Sequence, residues 1–137
     1  MTTATLGELI ARHGLDVPGH LDRDAPVPVH PGLQAQGGLL VIPVQDPPFP
    51  AGNGMPVPAS GIAVRAGSGH EHRLFAGTPG TTRIHLYSGV STRIASIEVT
   101  EPAFIAHPEH ACIGIAPGSY LLRRQRELAE EERLAES

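Results

Sequence analysis

At 137 residues and 14.4 kDa, with a formal charge of −4, the chain has room for one domain with its own core, not for two. The negative balance gives no electrostatic footprint for nucleic acid, and there is no apolar run long enough to span a bilayer. A single cysteine, Cys112, excludes an intramolecular disulfide framework. The first residues carry neither the basic start nor the apolar stretch of a secretory signal, so a cytoplasmic location is expected. Aromatic residues are only 4% against 40% hydrophobic overall, so the core must be built from Val, Ile, Leu and Ala. With 16 glycines and 14 prolines reversing the chain, many short strands are favoured over a helical bundle.

In chain order, residues 5–12 read as a short helix with Leu6, Leu9 and Ile10 on one stripe and Gly14 as its stop. Residues 17–33, rich in Pro, Asp and His and without periodicity, read as an extended arm. The β-domain is expected over residues 38–126, after an N-terminal helix and arm (1–37) and before a charged tail (127–137). Its first strand is 39–44. Residues 46–58 carry so many prolines that a loop is expected, because proline removes ladder donors. Further strands are expected at 62–66, 70–76, 82–87, 92–100, 103–107, 111–115 and 120–124, separated by Gly- and Pro-containing turns. The expectation is an all-β fold: a small antiparallel barrel or a jelly-roll-like, cupin-like sandwich.

The chemistry-bearing residues are two histidine pairs, Gly69-His70-Glu71-His72 and His107-Pro108-Glu109-His110. Residues two apart on a strand project from one face, so His70 and His72 would sit side by side with Leu74. Glu71, Arg73 and Phe75 take the other face. Pro108 disfavours a regular strand; a tight connection there would let His107 end one strand and His110 open the next, both pointing the same way. The set His70, His72, His107 and His110 is therefore a candidate site for a divalent transition metal. Zinc is the first expectation, with iron, manganese, nickel or copper as alternatives, and Glu71 or Glu109 as a replacement donor. Alternatively, the histidines are solvated or satisfy polar contacts in a turn.

His85 shares a face with Arg83 and Tyr87 and reads as a polar-face histidine, not a further ligand. Cys112 fits small-residue packing better than a soft ligand or a reactive thiol. On the last strand Tyr120, Leu122 and Arg124 take one face and Leu121, Arg123 and Gln125 the other. Those arginines would pair with the acidic tail or a neighbouring subunit, or clamp an anion.

Residues 61–127 resemble a family of small bacterial proteins without an established activity. Its pattern is Gly-His-x-His, then His-x-Glu-His-Ala, then Pro-Gly-x-Tyr leading into Arg-Gln-Arg-Glu. Those positions here are Gly69-His70-Glu71-His72, His107-Pro108-Glu109-His110-Ala111, Pro117-Gly118-Ser119-Tyr120 and Arg124-Gln125-Arg126-Glu127. A looser resemblance is to cupins, which implies a metal held by His70, His72 and His110. The cupin glutamate is missing: Arg73-Leu74-Phe75-Ala76-Gly77 follows the first pair. Two functions are carried forward. One is a metal-binding β-protein, by resemblance a cupin-like metalloenzyme acting on a small molecule. The other is a non-catalytic oligomer or adaptor with structural histidines; a homo-oligomer is expected in both.

Overall fold

The computed structural model describes residues 27–45, 54–66, 71–87 and 92–125. The expected helix at 5–12 and the charged tail at 127–137 lie outside them. The described chain is all-β, with no helix and hence none long and apolar enough to cross a membrane. The strands are β1 (Val29–His30), β2 (Gln34–Gln36), β3 (Leu39–Val44), β4 (Met55–Pro56), β5 (Ile62–Val64) and β6 (His72–Ala76). They continue with β7 (Thr82–Leu86), β8 (Arg93–Val99), β9 (Ala103–Ala106), β10 (Ile113–Ile115) and β11 (Gly118–Arg124).

These strands form two sheets, a five-stranded one ordered β1-β10-β9-β6-β5 and a six-stranded one ordered β2-β3-β11-β8-β7-β4. They face each other as a sandwich. The closed barrel offered as an alternative does not form, because both sheets keep edge strands: β1 and β5 in one, β2 and β4 in the other.

Period-two alternation decides what faces inward. Leu39 and Val41 of β3, Ala95, Ile97 and Val99 of β8, and Tyr120 and Leu122 of β11 are buried together against Leu74 and Ile105 of the other sheet. Each fully buried aliphatic side chain contributes about 1.5–3 kcal/mol, so this shared face outweighs any single polar contact in the molecule. Tyr120 is 1% exposed and its hydroxyl donates to the Ala116 carbonyl at 2.7 Å, so the largest core side chain buries no unpaired polar atom. Phe75 and Phe104 are cross-strand partners on the opposite face of their sheet and are also buried.

Two expectations are corrected. Residues 46–58 are not wholly loop: Met55 and Pro56 pair with Ile84 and Arg83 of β7. Proline is tolerated there because β4 is an edge strand, where a missing N–H breaks no second ladder. Strand structure also begins ahead of Gly38. β2 pairs with β3 across the Gly37-Gly38 turn, and β1 runs parallel to β10. Gly114 permits that parallel contact, since a Cβ at this position would lie 2.5 Å from the Pro28 carbonyl oxygen and 2.9 Å from Val29 Cγ2. Gly114→Ala is therefore expected to displace β1. Because β1 is a two-residue edge, the loss should stop at about 1–2 kcal/mol. Faster amide exchange at Gly114, whose N–H donates to Pro28, together with a small fall in melting temperature, would show it.

Candidate functional site

At one end of the sandwich a polar bridge joins the two sheets. Gln36, the last residue of β2, is 3% exposed and faces inward opposite Leu39. Its Nε2 donates to the carbonyls of Ile105 at 3.0 Å and Ala111 at 2.8 Å. Both are pure acceptors, so they fix the amide orientation and leave Oε1 facing the other way. Oε1 lies 2.8 Å from Nδ1 of His72, the first residue of β6. The oxygen can only accept, so His72 Nδ1 must carry the proton. His72 Nε2 is thereby left with its lone pair.

His72 is 3% exposed, and burial first, then the neighbouring charges of His107 and His110, lower its pKa from 6.5 to about 4. It is neutral at physiological pH. An imidazole held neutral, with Nδ1–H bonded to an oxygen and Nε2 free, has the orientation that metal-ligating histidines adopt.

His107, 5% exposed, directly follows β9 and lies beside His72, with ring centroids 4.6 Å apart and planes tilted by 46°. His110 continues the row outward, 4.6 Å from His107 with a 43° tilt, and is exposed. Pro108 and Glu109 make the turn, and the Glu109 backbone N–H donates to His107 Nδ1 at 3.0 Å. That bond occupies the Nδ1 lone pair. Neutral His107 therefore carries its proton on Nε2, the tautomer opposite to that of His72. His110 also packs on a bare backbone: Gly37 has φ +57, and a Cβ there would lie 2.7 Å from His110 Nε2. Glycine thus serves two needs at once, the positive-φ hairpin turn and the seat of an imidazole.

The two separated segments carrying the histidines do meet. His72, His107 and His110 form one row, while His70 lies outside the described residues. As the side chains stand, no group of three or more His, Cys, Asp or Glu among the described residues converges as a metal shell. Glu71 does not face the row; it pairs with Arg73 at 3.0 Å and Arg65 at 3.5 Å. His85 sits apart, edge-on to Tyr87 at 5.2 Å. Cys112 is buried, and burial pushes its thiol up to about 12, so it is no thiolate at neutral pH. Sequence reasoning missed Gln36 and Gly37. Gln36-Gly37-Gly38 announces a turn, but nothing in its letters says that the glutamine faces a histidine from the other sheet.

A family model described as a domain of unknown function, DUF8820, matches residues 35–125, which holds both histidine pairs, Gln36 and all strands from β3 to β11. Neither a curated protein nor a solved structure matches the chain.

Proposed function

The chain belongs to the DUF8820 family through residues 35–125, and we propose that this β-sandwich is a metal-binding domain whose ion is held at the histidine end. The observation that carries the reading is His72: buried, neutral, its tautomer set by Gln36, with Nε2 left as a donor. His110 is the accessible partner at the mouth of the row, and His70 is the further donor that the sequence supplies two residues before His72. In this reading His107 lines the row and ligates only if its Nδ1 bond to Glu109 is given up. Neutral imidazoles suit zinc first, then copper, nickel, iron or manganese. Three such donors leave one position open to water or a small-molecule substrate, which extends the reading to a metalloenzyme.

A second reading, a non-catalytic domain whose histidines are structural, is favoured by the engaged Nδ1 of His107 and by the side-by-side packing of the rings. Calorimetric titration of untagged, chelator-treated protein with zinc separates the two. The metal reading expects one ion per chain, with binding abolished in His72→Ala and weakened in His70→Ala and His110→Ala. Gln36→Ala, which frees the ring without removing a donor, should weaken affinity by about 10–100-fold. Absence of binding by zinc, copper, nickel, iron and manganese leaves the structural reading standing alone.

A further inference from the structure

We propose that Arg124 is an anion-binding residue, so that the ligand taken at the histidine end carries an oxyanion, a carboxylate or a phosphate. This deepens the metal-site reading by naming the ligand chemistry, and it rests on that reading only for the site's role.

The β11–β3 ladder is regular: Tyr120 pairs with Pro43, Leu122 with Val41 and Arg124 with Leu39. Cross-strand partners share a face, and Leu39 and Val41 lie in the core, so Arg124 is on the inward face. Its neighbour Arg123 is on the outward face and exposed, its Nε donating to Thr92 Oγ1 at 3.2 Å. The backbone at Arg124 is pinned on both sides. Its N–H donates to the Thr92 carbonyl, and that of Gln125 to the Gly38 carbonyl, each at 2.7 Å. A bulge in the β11–β8 pairing falls between Leu122 and Arg123, the kind of irregularity that re-aims side chains beside binding sites.

Arg124 is only partly exposed, and its Nε is buried without a hydrogen-bond partner. A guanidinium cannot shed its charge, so a buried N–H left unmade carries a desolvation penalty that an incoming oxyanion relieves. The arginines bonded to Glu71 are Arg65 and Arg73. Arg124, Leu39 and Gln36 form one cross-strand row, which sets Arg124 two strands, about 10 Å, from the residue that holds His72. Arg124 and the histidine row thus lie at the same end of the sandwich, on either side of the buried Leu39.

The full chain, chelator-treated, is titrated with inorganic phosphate and with succinate against chloride at equal ionic strength, read by melting temperature and calorimetry. One of the two oxyanions is expected to raise the melting temperature of the wild type beyond chloride, and which one does so names the ligand group. Affinity should fall about tenfold or more in Arg124→Gln. It should weaken in Arg124→Lys, which keeps the charge and loses the fork, and persist in Arg123→Gln. Should Arg124→Gln fail to fold, Arg124→Lys carries the test. His72→Ala should lose zinc yet keep the anion response, so the two proposals fail independently. No response to either oxyanion, or an equal response after substitution of Arg124, overturns the assignment.

Discussion

Gln36→Leu is expected to lower the free energy of unfolding by about 3–5 kcal/mol, although leucine nearly matches the shape it replaces. The loss does not come from packing. Gln36 holds three hydrogen bonds: buried ones to the Ile105 carbonyl and to His72, and a part-buried one to the Ala111 carbonyl. A leucine leaves the Ile105 acceptor and the His72 donor without partners in a place that excludes water, and each orphan carries its own desolvation penalty of about 1–3 kcal/mol, while the Ala111 carbonyl belongs to an exposed residue and turns to solvent. Urea denaturation followed by circular dichroism should show a lower midpoint at unchanged slope. The companion double variant Gln36→Leu/His72→Phe removes the histidine donor as well, and should recover part of the loss instead of adding to it. A fall below about 1 kcal/mol in the single variant would mean that the bridge between the sheets contributes nothing, and the site's rigidity would have to come from elsewhere.

That bridge also marks where sequence reasoning reached and where it stopped. Alternation in Leu39–Val44 and Thr82–Leu86 is written in the order of residues, because one face of each strand is more deeply buried than the other. Those strands, and the inward set Tyr120, Leu122 and Arg124, were therefore readable. The two-residue strands were not. Val29–His30 and Met55–Pro56 have no alternation to read, and each exists because a longer strand offers a free edge. The choice between barrel and sandwich was equally beyond reach, since it turns on whether edge strands meet, which no local pattern encodes. At the site, the histidine spacing brought out His72, His107 and His110, since unusual residues at short intervals are visible in one dimension. Their tautomers were hidden. His72 is set by a glutamine 36 residues away and His107 by a backbone N–H two residues on. Both depend on three-dimensional partners that a histidine motif does not name.

The same burial makes stability depend on pH through His72. The unfolded chain holds this imidazole at its ordinary 6.5, and the folded chain lowers it to about 4. Between those values the unfolded state binds a proton that the native state refuses, so stability rises with pH across the window. The contribution is fully present above pH 6.5 and is lost as pH falls towards 4, for a total of about 3 kcal/mol. The decisive measurement is a histidine-selective NMR titration of chelator-treated protein alongside urea midpoints at each pH. His72 should stay in its Nδ1–H neutral form well below pH 6. Gln36→Glu supplies the opposing case. A carboxylate facing Nδ1–H favours the imidazolium, raises the His72 pKa and flattens the pH slope, while its oxygens meet the Ile105 and Ala111 carbonyls without a proton to offer. This variant should therefore be the less stable protein at pH 7 and lose its deficit progressively on acidification. Were its pH profile parallel to that of the wild type, proton binding at His72 would not be the source of the dependence.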